Sequence, residues 1–244
     1  MASGWKAGRQ AAVSLTFDDG MTSHVDIAAP ALEAQGIRGT FYLMTKDAPV
    51  LDRFRALATV GHEIGNHSVA HPCAGATSLD PDYRGLESWT LEEMEEELAE
   101  SDERLRSAYP DTAEFSFAYP CYNTFVGVGE GRRSYVPLVA KRFAAARAGN
   151  ELSTAFNDPH RVDLHCVSTW KCEGMEASEL IGIVERTRRS GAWSVLAFHG
   201  IGEGHLLVGE GAFLELVAYL GAHSEEVWAA PFLEVARYVR EIRG

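Results

Sequence analysis

Short apolar runs alternate with amphipathic stretches along the chain, and turn residues mark most junctions. Ala11-Ala12-Val13-Ser14-Leu15-Thr16-Phe17 has the length and apolarity of a buried strand and stops at Asp18-Asp19-Gly20. Ile27 to Gln35 reads as a helix closed by Gly36. Gly39 to Met44 reads as a second strand, Leu51 to Val60 as a helix ending at Gly61, and His62 to Asn66 as a third strand. Thr90 to Tyr109 is the clearest helix. Thr90 and Glu93 have the spacing of a capping box, Leu91, Met94, Leu98 and Leu105 fall near one face, and acids fill the other. That acidic run, Glu92 to Glu103, reads as a solvated helix face. Phe115 to Tyr119 is the next strand, stopped by Pro120, with Phe143 to Ala146 and Leu164 to Val167 as weaker candidates. A helix over Leu180 to Arg189, a strand over Ser194 to His199 and a helix over Phe213 to Leu220 follow. A last strand, Val227 to Ala229, precedes a helix over Phe232 to Ile242.

Strand and helix alternate at least six times, with no linker-like stretch and no internal repeat. This predicts one α/β domain spanning 1–244 with a parallel sheet or barrel. The composition, 46% hydrophobic and 23% charged over 244 residues, is that of a globular chain with a sizeable core. A net charge of −13 argues against nucleic-acid partners. No apolar stretch approaches the roughly 18 residues of a transmembrane helix, so no membrane partner is expected. Met1-Ala2-Ser3-Gly4-Trp5 lacks the apolar core of a signal peptide. That leaves a cytoplasmic protein, or a secreted one whose signal is not part of this chain. Cys73, Cys121, Cys166 and Cys172 include no CxxC pair; reduced thiols and two disulfides of undetermined connectivity both remain open.

Three segments carry chemistry. Thr16-Phe17-Asp18-Asp19-Gly20 puts two adjacent carboxylates at a strand end, where one can ligate a metal while its neighbour accepts a proton; a plain turn is the alternative. In Gly65-Asn66-His67-Ser68-Val69-Ala70-His71-Pro72, histidines at i and i+4 would share one face of a helical turn and converge on one ion. Ser194-Val195-Leu196-Ala197-Phe198-His199-Gly200 ends an apolar strand on an imidazole able to donate a proton near neutral pH. Two imidazoles and one carboxylate leave coordination positions open for water and substrate, with a spare Asp and a spare His for proton transfer. That is a set for metal-assisted hydrolysis.

In order and spacing, TFDDG, then HSxxH about 50 residues on, then a late LxFH, the chain resembles the polysaccharide deacetylases, the NodB-homology or carbohydrate esterase family 4 group. The resemblance runs from about Ala11 to Tyr238. It implies a distorted (β/α) barrel with fewer than eight regular strands, acting on an acetylated oligo- or polysaccharide. It implies Asp19, His67 and His71 as ligands of a divalent metal, zinc by expectation, with Asp18 as general base and His199 as general acid. Leu196 would line the acetyl pocket.

Two motifs depart from the family pattern. Where the family has Arg-x-Pro-aromatic, this chain has Ala118-Tyr119-Pro120-Cys121; the Cys121 N–H can still serve an oxyanion. Where two aspartates precede a tryptophan, this chain has Cys166-Val167-Ser168-Thr169-Trp170, without either acid. Arginine and acid are thus expected to have been lost together, which strands no buried ion, and Lys171 is the candidate for holding Asp18. Because an ester needs a less finely oriented base than an amide, this loss favours an O-acetyl ester over an N-acetyl amide. Tyr119, Cys121, Trp170 and His205 complete the expected substrate contacts, with Tyr122 and Trp89 as further aromatics. His205 belongs to a glycine-rich loop, Gly200 to His205, that lacks a P-loop's Gly-Lys-Ser/Thr. His160, His165, Cys166 and Cys172 fit no standard zinc spacing, and Asn66-His67-Ser68 is discounted as a glycosylation signal because His67 is assigned to the metal. A carbohydrate-binding member with a weakened site and an amidohydrolase for a non-sugar amide are the rival readings.

Overall fold

The computed structural model describes residues 4–77, 82–148 and 155–244; Met1, Ala2 and Ser3, read above for a leader, lie outside them. Its centre is a nine-stranded, mostly parallel sheet. The strands are β1 (Ala11–Asp18), β2 (Thr40–Leu43), β3 (Glu63–Asn66), β4 (Ser116–Ala118), β5 (Ala145–Arg147), β6 (Phe156–Asn157), β7 (Thr169–Lys171), β8 (Trp193–Phe198) and β9 (Val227–Ala229). β1 pairs in parallel with both β2 and β8, β2 with β3, β3 with β4, and β4 with β5. β7 pairs with β8, and a parallel bridge from Arg147 to Val167 joins β5 to the segment entering β7. The sheet therefore curls into a ring of parallel strands. This is the distorted barrel expected from the sequence. β6 runs antiparallel on β8, and β9 fills the lower edge of β1.

Among the described residues, eight α-helices pack outside: α1 (Ala29–Ala34), α2 (Ala48–Arg53), α3 (Arg55–Thr59), α4 (Leu91–Ala108), α5 (Val136–Arg142), α6 (Ala177–Ser190), α7 (Glu210–Ala222) and α8 (Phe232–Arg243). The capping box at Thr90 and Glu93 is present at the start of α4. The single helix expected over Leu51 to Val60 is instead the pair α2 and α3, broken at Phe54. Leu164 to Val167 forms no strand beyond its one bridge, while Thr169–Lys171, not foreseen, does.

The alternation of side chains along a strand decides what each face does. Val13, Leu15 and Phe17 join Phe41, Leu196, Phe198 and Phe213 in the apolar layer beneath the helices. The intervening residues face the barrel interior, which is unusually polar: Ser14, Thr16, Asp18, Thr40, Ser116 and Arg147 are all buried. Tyr42 crosses this interior, its hydroxyl accepting a hydrogen bond from Ser116 Oγ at 3.0 Å. Gly65 makes room for it, since a Cβ there would lie 2.4 Å from the Tyr42 ring.

Candidate metal and acid–base centre

All the chemistry-bearing groups sit at the C-terminal ends of the barrel strands, where a (β/α) barrel gathers its sites. Asp18 ends β1, and Asp19 follows in a left-handed conformation (φ 73°), so that both carboxylates approach His67 Nε2, at 4.0 Å and 3.6 Å. His67 follows β3 directly. Its Nδ1–H donates to the Ala118 carbonyl at 2.8 Å, which leaves the Nε2 lone pair facing the cleft.

His67 Nε2 lies 3.6 Å and His71 Nε2 3.7 Å from Asp19 Oδ1, and the two Nε2 atoms are 3.2 Å apart. The pair does not share a helical turn, as the spacing suggested. Ser68 (φ 66°) and His71 (φ 53°) are left-handed, and the segment is a loop that curls back on itself. Asn66 Oδ1 holds that loop through the Ser68 N–H at 2.8 Å, and Ser68 Oγ accepts the His71 N–H at 3.0 Å. A divalent cation fits this donor set. Asp19 Oδ1 is buried with no hydrogen-bond partner among the described residues. Burial, and then the neighbouring His67, push the His71 pKa down to about 4, so its imidazole is neutral and able to ligate.

Asp18 is buried and carries an ion pair with Arg147, the last residue of β5, whose guanidinium is also fully buried. Burial alone would raise the Asp18 pKa, but Arg147, with His67 and His199, holds it well below the usual carboxylate range. This corrects the expectation that the orienting charge is absent. In the sheet register Ala118 of β4 lies opposite Arg147 of β5. The arginine missing at position 118 is thus supplied from the adjacent strand. The Tyr42 ring supports the guanidinium at 4.7 Å. Lys171, the earlier candidate, instead has its Nζ 4.4 Å from the Tyr122 ring centroid.

His199 follows β8. Its Nδ1 lies 3.0 Å from Glu173 Oε1 and its Nε2 4.0 Å from Asp19 Oδ2. Burial would lower the His199 pKa, but the Glu173 carboxylate, then Asp18 and Asp19, raise it. Glu173, two residues beyond β7, therefore provides an acid that the altered tryptophan motif lacks. His24 adds a backbone support. It is fully buried, and burial holds its pKa down to about 4. Its neutral ring donates from Nε2 to the His199 carbonyl at 2.7 Å. A π-helical turn, His24–Ala28, presents it there.

A cleft of 780 Å³ joins Asp18, Asp19, His67, His71 and His199 with Tyr119, Cys121, Tyr122, Lys171, Glu173 and His205. Cys121 is left-handed (φ 48°), and its N–H has no acceptor among the described residues. Tyr119 also spends its hydroxyl on the His165 carbonyl at 2.9 Å. Leu196 and Trp170 lie outside the cleft lining, because their strand positions point toward the helices. Leu196 is fully buried in the apolar layer, and Trp170 packs on Phe156 and donates from Nε1 to Ser194 Oγ at 3.3 Å. Trp89 likewise packs beside that layer, under the Arg84 guanidinium. Cys73 and Cys121 form a disulfide that ties the His71 loop to the Cys121 turn; Cys166 and Cys172 carry thiols.

Arg147, Glu173 and His24 escaped the sequence reading. A lone arginine inside Phe143-Ala144-Ala145-Ala146-Arg147-Ala148 was the available signal, since a cation in a buried strand demands a carboxylate.

A family model described as polysaccharide deacetylase matches residues 6–124. A gellan lyase from Bacillus sp is 28% identical over 143 residues, 59% of this chain; the chain spans about 5% of that protein's length. Two solved structures that carry the polysaccharide deacetylase name superpose well. The one from Mycobacterium smegmatis has a TM-score of 0.68 at 17% identity, covering 98% of this chain and 93% of its own. The one from Pseudomonas aeruginosa PAO1 has a TM-score of 0.70 at 13% identity, covering 98% and 94%. A family 4 acetyl xylan esterase from Clostridium thermocellum, solved with a cobalt ion, gives 0.56 at 16% identity over 92% of this chain and 89% of its own.

Proposed function

This chain belongs to the polysaccharide deacetylase family, and from that premise we propose that it is a metal-dependent hydrolase removing acetyl groups from a carbohydrate. The observation that carries the reading is the convergence of Asp19, His67 and His71 beside a base held by Arg147 and an acid held by Glu173. A divalent metal held by Asp19, His67 and His71 would polarise the acetyl carbonyl and acidify a water molecule. Asp18, ionised and fixed by Arg147, takes the proton of the attacking water. The Cys121 N–H faces the oxyanion that develops. His199 donates its proton to the departing sugar oxygen or nitrogen, while Glu173 holds the opposite ring nitrogen.

The preference for an ester substrate rested on a missing arginine–acid pair. With Arg147 and Glu173 present, the site is equipped for an N-acetyl amide as well as an O-acetyl ester. The deciding experiment is acetate release from matched O-acetylated xylo-oligosaccharides and N-acetylglucosamine oligomers, with zinc and with a chelator. We expect release from at least one series, abolished by the chelator. His67→Ala and His71→Ala are expected to lose bound metal and activity together; full activity in both metal-free variants would sink the reading. Sugar binding without acetate release would favour a non-catalytic member of the family, and turnover of small non-sugar amides an amidohydrolase.

Glu173→Gln tests the acid separately. Its carboxylate leads Asp18 and Asp19 in raising the His199 pKa, so its loss lowers that pKa. The protonated acid then disappears at lower pH. The basic limb of kcat/KM is expected to move toward acid by roughly 1 pH unit, with the acid limb in place. An unmoved basic limb would remove Glu173 from this role.

A further inference from the structure

His71 presents its two ring nitrogens to two different places. Nε2 faces His67 and Asp19, while Nδ1 lies 3.5 Å from Cys73 Sγ. His71, Cys73 and Cys121 place one ligand atom each within 4.8 Å of one another. A tetrahedral zinc ion with ordinary bond lengths needs a nitrogen–sulfur separation of about 3.6 Å and a sulfur–sulfur separation of about 3.8 Å. Cys73 Sγ already stands at the first from His71 Nδ1, and Cys121 Sγ lies within 4.8 Å of the other two atoms. The second requires that the disulfide open and the Cys121 sulfur swing aside.

Contacts other than that bond also join and hold the two loops. Asn123 Oδ1 accepts the Ala74 N–H at 2.9 Å, directly joining them. Cys73 is held by its own N–H to Tyr83 Oη at 2.8 Å and by its carbonyl to the Leu86 N–H at 2.9 Å. The Cys121 turn is closed by Tyr122 N–H to Tyr119 O at 2.9 Å and Asn123 N–H to Pro120 O at 3.0 Å. Both cysteines line the cleft; Cys121 is half-buried and is the one open to a small reductant, while Cys73 is buried behind it.

We propose that reduction of Cys73–Cys121 creates a second metal site, built from the two sulfurs and His71 Nδ1, for a thiophilic divalent ion such as zinc or cadmium. A dithiol reductant gives two electrons and two protons to the disulfide and is itself oxidised to a disulfide. Metal uptake releases both thiol protons, and the remaining ring proton of His71 when Nε2 is ligated too. Thiolates select thiophilic ions, unlike the mixed nitrogen–oxygen set of the neighbouring centre. His71 becomes a ligand shared between two sites, so the redox state of the cleft bears on the ion that Asp19 and His67 hold.

The test uses the full chain, oxidised or reduced with a phosphine; water supplies the oxygen of the phosphine oxide, and no chelating dithiol is introduced. Cobalt(II) is titrated into each form, following bound equivalents and thiolate-to-cobalt charge-transfer absorption. The reduced protein is expected to take one equivalent more than the oxidised one and to gain the sulfur band. The Cys73→Ser/Cys121→Ser variant should gain neither. If that variant does not fold, alkylating the reduced wild-type thiols provides the same control. Equal uptake in both redox states, or an extra equivalent that survives loss of both sulfurs, would overturn the proposal. A reduced protein binding one ion with the sulfur band, beside an oxidised protein binding none, would uphold this site and sink the catalytic-metal reading instead.

Discussion

Replacing Asp18 by Asn is expected to lower kcat by roughly 10²–10⁴-fold, the usual worth of a positioned general base, while metal content stays at the wild-type level. The separation is geometric. Asp18 Oδ1 is engaged by Arg147, whereas the carboxylate that reaches both histidine Nε2 atoms belongs to Asp19. Asparagine keeps the volume and can still lie against the guanidinium, but it cannot take a proton from water. Steady-state acetate release with parallel metal analysis checks this. Turnover within tenfold of wild type would dismiss Asp18 as the base, and loss of metal would move it into the ligand set.

Arg147→Ala is expected to act on stability and rate at once. It leaves the Asp18 carboxylate buried without its cation, a change that costs about 3–5 kcal/mol when one partner of a buried pair is removed. Asp18 then takes up a proton at higher pH than before, because burial, which raises its pKa, loses its main opponent. Folding stability near neutral pH falls, and kcat drops by about 10²-fold through misplacement of the base. Denaturant unfolding and steady-state kinetics report the two effects. Because Ala118 and Arg147 are register partners on one face of the barrel, Ala118→Arg in the Arg147→Ala background is expected to return a measurable part of both. An Arg147→Ala protein with wild-type kcat would show that the ion pair does not position the base.

The parts of this site that could be read from the sequence are those whose position is fixed by local order. Asp18 and His199 end long apolar strands, and two histidines four residues apart converge in either a helix or a loop. The left-handed Ser68 and His71 that choose the loop are non-glycine, so no residue type announces them. Arg147 was hidden for a different reason. A motif search asks for a residue at an expected place in the chain, whereas the carboxylate needs only a cation on a neighbouring strand. Glu173 was hidden because its strand, Thr169–Lys171, is three residues long and ends on a charge. The disulfide joins cysteines 48 residues apart in loops whose proximity depends on the pairing of β3 with β4. In the fold, the long periodic helix α4 and the apolar strands β1 and β8 were plain. The weak strand candidates were settled by pairing across the sheet, which no local pattern encodes.

β1 has a bearing on how the protein is made. Every residue in it is buried. Its β2 partner follows within about 25 residues, but Ala12 to Phe17 pair on the other side with Trp193 to Phe198. Until residues 193–198 have been made, the strand that ends on Asp18 therefore has an apolar, unpaired edge, the kind of surface that invites association with other chains. Truncation anywhere before residue 193 leaves that edge open for good, and the acidic pair with it. The candidate centre is drawn together only once Trp193–Phe198 and His199 have been made.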